Sequence, residues 1–229
     1  MRWLRGLSTV LIAAGAILIA DVAVTLAWQE PFSAIYGKVQ QDRLEDELSG
    51  LDRLTGGEAR ALRELAGDRQ KLAFLARSLR RRTDDGDAIG RIRISRIGVD
   101  KVVVEGTAAG DLRKGPGHYP ETPLPGMSGT VAIAGHRTTY GAPFNEIDKL
   151  RKGDRVTVEM PYGRFTYRVE GSRIVPPTAV DVVRRVGYDR LVLSACHPKY
   201  SAAKRIVVFA RLVDARLTVG ASRRGARSR

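Results

Sequence analysis

The sequence predicts a small all-β domain, sandwich or closed barrel, carried behind a membrane segment and a helical linker. Three observations carry this. An apolar run fills the N-terminus, the next fifty residues have helical spacing, and from Ile89 onward the hydrophobic period changes to two. The 229 residues leave room for one ordinary domain with smaller additions. A composition 43% hydrophobic and 28% charged is too apolar for a disordered polyelectrolyte.

The first element follows residues 1–5. From Gly6 to Trp28 the chain is apolar apart from Ser8, Thr9, Asp21 and Thr25, a stretch longer than the ~20 residues that span a bilayer as helix. Arg2 and Arg5 precede it and the next basic residue is Lys38, so the charge bias places the N-terminus in the cytoplasm and the rest outside. Asp21 is tolerable near the outer headgroups, and Trp28 suits an interfacial aromatic. A cleaved signal peptide is the alternative, with Thr25-Leu26-Ala27 as the site, but this apolar region exceeds the ~7–15 residues usual there.

Residues 29–88 form the second element. Leu44, Leu48, Leu51 and Leu54, then Leu62, Leu65, Leu72, Leu75 and Leu79, recur mostly at helical spacings, with a break expected at Gly56-Gly57. Eleven basic and eleven acidic residues lie between Lys38 and Ala88, so this expected stalk is neutral overall. Thr83 to Asp87 is a turn-rich break.

The third element, 89–213, has strand candidates at Ile89 to Ile94, Val102 to Val104, Thr130 to Ala134, Arg155 to Met160, Phe165 to Val175, Arg190 to Ser194 and Arg205 to Val213. Pro-Gly clusters at Gly115 to Gly117 and Pro120 to Gly126 separate them as loops. Of the net charge of +14, +10 belongs to 89–213 and +4 to the basic tail, 214–229. An anionic partner fits that excess. Nucleic acid does not, because the domain is expected outside the cell and no groove-reading or stacking motif accompanies the charge.

The single cysteine, Cys196, excludes an intramolecular disulfide and a multi-cysteine zinc site. It ends the apolar run Leu191 to Cys196, and His197-Pro198 stops the strand, so its sulfur opens on a loop, where functional groups concentrate. A thiol attacks as thiolate and needs a histidine or cationic partner. Of three histidines, His197 points to the opposite strand face from Cys196. His136 follows a strand and opens a loop, which makes it the leading partner; His118, in Gly117-His-Tyr-Pro120, stays a second candidate. A hairpin after Cys196 returns Arg205 to its neighbourhood, where a guanidinium suits an oxyanion or a substrate carbonyl.

The run Ala-Gly-His136-Arg-Thr-Thr-Tyr140, the run Leu-Ser-Ala-Cys196-His-Pro-Lys-Tyr-Ser-Ala and Arg205, in that order behind a membrane anchor, resemble the sortases, most closely those of class E from actinobacteria. The resemblance covers Ile89 to about Leu212 and includes Ile89-Gly-Arg-Ile-Arg-Ile94, Val102 to Thr107, Gly115 to Pro120 and Gly141 to Phe144. It implies an eight-stranded β-barrel with short helices, Cys196 as nucleophile, His136 as general acid and base, Arg205 as transition-state clamp, and no cofactor or metal. It further implies a sorting signal of Leu-Ala-x-Thr-Gly or Leu-Pro-x-Thr-Gly type on secreted proteins as substrate, and a peptidoglycan precursor or other cell-wall amine as acceptor, or a protein lysine in a pilin-polymerising relative. Tyr140 is associated with the Leu-Ala preference, and Ser194, Ala195 and His118 are further candidates around the substrate.

The chain departs from the family pattern before the nucleophile. Where the family has Thr-Leu-x-Thr-Cys, this chain reads Val192-Leu-Ser-Ala-Cys196. A missing oxyanion donor costs ~3 kcal/mol, so Ala195→Thr is expected to raise turnover. A catalytically impaired, sortase-like binding or scaffolding protein of the envelope is the competing expectation.

Overall fold

The computed structural model describes residues 2–27, 31–51 and 53–219, with the side chains of 2, 4, 5, 21–27, 31 and 32 left aside. Eight strands close into a barrel: β1 (Ala88–Ile94), β2 (Val99–Glu105), β3 (Gly117–His118), β4 (Thr130–Ala134), β5 (Arg155–Met160), β6 (Gly163–Val175), β7 (Arg190–His197) and β8 (Lys204–Leu217). Their order around the barrel is β1-β2-β3-β4-β7-β8-β6-β5, with β5 pairing back to β1. The pairs β2–β3 and β4–β7 are parallel and the others antiparallel. A closed barrel, of the two architectures the pattern allowed, is what forms.

Alternation fills it. Ile92 and Ile94, Val156 and Val158, Phe165, Tyr167 and Val169, Leu191, Leu193 and Ala195, and Ile206, Val208 and Ala210 all join one buried core. β3 falls in a stretch expected as loop, because two residues between Pro116 and Pro120 are too few to carry a period. β8 runs four residues past the expected domain end at Val213, and residues 220–229 of the basic tail lie outside the described residues.

The segment expected as a helical stalk or linker is packed on the barrel. Helix α2 (Pro31–Gly50) puts Leu44 against Ala88, Val102 and Val104. Helix α3 (Gly56–Glu64) begins at the Gly-Gly pair taken for a break, because Thr55 and Glu58 make a reciprocal capping box that starts a helix there. Helix α4 (Asp68–Arg80) buries Leu72, Leu75, Ala76 and Leu79, one face at helical spacing, in the barrel core itself. Each of the three leucines removed from water contributes ~1.5–3 kcal/mol. A short helix α5 (Ala109–Leu112) follows β2.

The N-terminal helix α1 spans Arg2–Ala27. Among the described residues no helix is long and apolar enough to cross a membrane. Trp28, and the side chains of 21–27 that complete the expected span, lie outside the description.

Candidate active site

Strand register brings the three predicted catalytic residues to one edge of the barrel. β4 and β7 run parallel, with Ala132 beside Val192 and Ala134 beside Ser194. The Gly135 amide donates to the Ser194 carbonyl at 3.0 Å, continuing the ladder, so two further residues carry His136 to the level of Cys196. β7 and β8 are antiparallel with Cys196 directly opposite Arg205. The three therefore stand at the ends of adjoining strands β4, β7 and β8, although 60 residues of sequence separate His136 from Cys196.

Local chemistry explains how the His136 loop is made. Phe144 is fully buried and its ring lies where a Cβ at Gly135 would come within 2.6 Å, so only glycine admits it. The Phe144 amide donates to the His136 carbonyl at 3.0 Å and closes the loop. Tyr140, Gly141 and Ala142 all have positive φ (51°, 72° and 39°), a left-handed turn that two of the three residue types disfavour.

His136 is half-buried, with its Nε2 shielded from solvent and without a hydrogen-bond partner. Tyr140 stacks obliquely on it, ring centroids 5.2 Å apart, and Arg113 lies 5.7 Å from the Tyr140 ring centre. Burial, aided by the positive charge of Arg113, holds the imidazole below the ordinary histidine range. A largely neutral imidazole is suited to accept a thiol proton. Cys196 is partly exposed. Arg205 also reaches the surface, where its Nη1 donates to the Ala202 and Lys204 carbonyls at 2.9 and 3.0 Å, turned back onto its own hairpin.

Next to Arg205, the strand partner of Cys196, is a largely apolar cleft of about 340 Å³. Val192 and Ser194 of β7, Val207 and Arg205 of β8, and Tyr119 form part of its walls, and the 175–183 segment after β6 closes it. Ser194 thus shares the strand face of Cys196, as period two requires, and lines this cleft. Ala195 points the other way: it is 3% exposed and part of the barrel core. The expectation that Ala195 touches substrate does not survive this placement, since its side chain faces Leu193, Ile206 and their neighbours' side of the wall. His118 is corrected as well. It is 1% exposed, with Nδ1 3.0 Å from a Glu105 carboxylate oxygen and Nε2 3.0 Å from Thr122 Oγ1, so it ties β2 to β3 and lies behind the cleft wall.

Sequence reasoning missed Arg137. It is 4% exposed and its guanidinium donates to the Cys196 carbonyl (3.4 Å), His197 Nδ1 (3.0 Å) and the Asn145 carbonyl (3.3 Å), while pairing with Asp148 (2.8 Å). Asn145 in turn donates to the Arg137 carbonyl and accepts from Lys199. The residue after the histidine thereby holds the backbone of the cysteine. Its adjacency to His136 was the one available signal, and a charge beside a loop histidine reads first as a solvated one. Among the described residues no group of three or more metal-ligating side chains forms.

Comparison with known proteins places this geometry. The Sortase domain family matches residues 92–213. Sortase D of Bacillus subtilis (strain 168) is 33% identical over 134 residues, covering 57% of this chain and 66% of that protein. Sortase SrtE1 of Streptomyces coelicolor is 30% identical over 151 residues, covering 58% of this chain and 42% of that protein. The chain thus spans less than two thirds of these relatives. Sortase E from Streptomyces avermitilis superposes with a TM-score of 0.53 at 36% identity, over 58% of this chain and 93% of that one. The fold of a Clostridium perfringens Sortase D5 transpeptidase aligns over 77% of this chain and 99% of that one, with a TM-score of 0.61 at 24% identity. With its family-matched barrel carrying histidine, cysteine and arginine on adjoining strand ends, the chain belongs to the sortase family.

Proposed function

We propose that this protein is a membrane-anchored cysteine transpeptidase that cleaves a sorting signal between Thr and Gly and passes the acyl group to an amine. The alignment of His136, Cys196 and Arg205 across three neighbouring strands is the observation that carries the reading. His136 Nε2 takes the Cys196 thiol proton, and the thiolate sulfur bonds to the threonine carbonyl carbon. Charge moves to the carbonyl oxygen, which Arg205 stabilises once its guanidinium leaves the hairpin carbonyls. The carbon–nitrogen bond then breaks as the His136 imidazolium returns the proton to the departing glycine amine. A thioester stays on Cys196. An acceptor amine, deprotonated by His136, attacks that thioester and releases the cysteine.

The apolar cleft suits the leucine and alanine of a Leu-Ala-x-Thr-Gly signal, and Tyr140 beside His136 is consistent with the class E preference. The acceptor is a cell-wall amine. The anchor reading is supported by Arg2 and Arg5 in the first turns of helix α1 and by the exposure, from 49% to 71%, of Leu7, Val10, Leu11, Ile12, Ile17, Leu18 and Ile19. In this reading the N-terminus is cytoplasmic and the barrel extracellular. An impaired scaffold is not favoured, because Ala195 faces the core and leaves no gap in the site.

The deciding experiment incubates the full chain in detergent with Leu-Ala-x-Thr-Gly and Leu-Pro-x-Thr-Gly peptides, with and without an amine, and reads acyl-enzyme and product by mass spectrometry. Cleavage of neither peptide, with no adduct on Cys196, sinks the proposal.

A further inference from the structure

Helix α2 does more than cover the barrel. Its middle is fastened to β2: Gln41, 8% exposed, donates to the carbonyls of Val102 (3.1 Å) and Lys114 (2.9 Å) and accepts from the Val102 amide (2.8 Å). Further along, Glu47 accepts from the Ala88 amide at 2.9 Å and starts β1. With those points fixed, the first turns of α2 lie on the loop that follows His136. Ser33 Oγ accepts from the Tyr140 amide at 3.2 Å. The Tyr36 ring meets the Tyr140 ring edge-on at 6.1 Å. At Gly37 a Cβ would stand 2.9 Å from the Tyr140 carbonyl carbon and 3.0 Å from its oxygen, so the helix and loop backbones are in direct contact.

That contact has a cost and a consequence. A glycine inside a helix is worth ~1 kcal/mol less than alanine, and the close approach at Gly37 is the compensating gain. The loop it touches holds three successive residues in the left-handed region, a conformation that persists only where the surroundings over-determine it. The same Tyr140 ring also packs obliquely on His136, with centroids 5.2 Å apart.

We infer that α2 is a working part of the active site: Ser33, Tyr36 and Gly37 clamp the Tyr140 loop and thereby position His136, so that unseating the helix slows chemistry more than it weakens substrate binding. This rests on the transpeptidase reading for its kinetic consequence, but its structural claim stands apart from it. These are positioning residues, acting on the histidine through Tyr140.

The test uses the full chain. Gly37→Ala strengthens the helix intrinsically while forcing it off the loop, which separates unseating from melting, and Tyr36→Ala removes a half-exposed ring without adding a clash. Kinetics on the cleaved peptide should show kcat lowered about tenfold in Gly37→Ala, the scale expected when a catalytic group is displaced by under an ångström, with KM within about twofold. Tyr36→Ala should shift kcat the same way by less. An NMR titration of His136, which needs no turnover, should show its midpoint rising toward the ordinary histidine value in both variants as water reaches the ring. Unchanged kcat and midpoint in both overturn the inference. A wild-type protein that cleaves no peptide removes the transpeptidase reading, and the His136 midpoint then decides the clamp by itself.

Discussion

Arg137 reaches from the residue after His136 to the backbone carbonyl of Cys196, 3.4 Å away, so a single buried guanidinium couples the strand ends that carry His136 and Cys196. Its remaining donors go to His197 and Asn145 and its charge meets Asp148. Arg137→Ala leaves those acceptors without a partner, which costs ~1–3 kcal/mol. We expect kcat to fall at least tenfold while KM changes little, with Arg137→Lys restoring only part because an ammonium cannot span the fork. Equal stability and equal kcat in the alanine variant remove Arg137 from this role.

Cys196→Ala should abolish the acyl-enzyme. His136→Ala should lower turnover by ~100-fold or more, the usual worth of a positioned acid–base group, and Arg205→Ala by a similar factor as an oxyanion partner. Circular dichroism should show the fold intact. His118→Ala should instead lower the melting temperature, since it empties a buried polar network. A barrel as stable as wild type there argues for a role at the surface of the cleft.

Ala195→Thr should not raise turnover, contrary to the expectation from sequence. A hydroxyl at 195 enters the apolar core near Ile206 with no partner and costs ~1–3 kcal/mol of stability. Ser194→Ala, on the cleft face, should raise KM for the peptide while leaving the denaturation midpoint near wild type. A gain in kcat/KM from Ala195→Thr contradicts this placement.

Acid stability should depend on His136. Burial depresses its affinity for protons in the folded protein, so as pH falls below ~6.5, the ordinary histidine value, the unfolded chain takes up the proton first. The folded state therefore loses this contribution as pH drops through that window toward the depressed folded value, and regains it above. His136→Gln should flatten that limb in urea denaturation measured across pH. An unchanged limb assigns the acid sensitivity elsewhere.

Leu79→Ala should destabilise the barrel by ~2–5 kcal/mol, as a core truncation does, although Leu79 lies before the first strand. By the same reasoning residues 89–213 alone lack the side chains of α4 that finish the core. Expression of that fragment should give a loosened, dye-binding barrel; a fragment as stable as the whole chain would make α4 dispensable.

What the sequence determined by itself is local or strictly periodic. The alternation of Ile92, Ile94, Val156, Val158, Leu191 and Leu193 announces strands because side chains alternate across a pleat, and Cys196 at the end of its apolar run announces a strand terminus. The order of His136, Cys196 and Arg205 carries the family resemblance. Tertiary structure decided everything that depends on which strands are neighbours. Only barrel closure, with β4 beside β7 and β7 beside β8, sets His136 and Arg205 on either side of Cys196, since pairing between distant strands leaves no mark on either strand's own pattern. The leucines of α2 and α4 signal an apolar face, and periodicity is silent on what covers it; the barrel does, turning an expected stalk into part of the core and a clamp on the active site. Arg137, His118 and Ala195 were unreadable for the same reason. Charge, ring and methyl group take their roles from burial, and burial belongs to the fold.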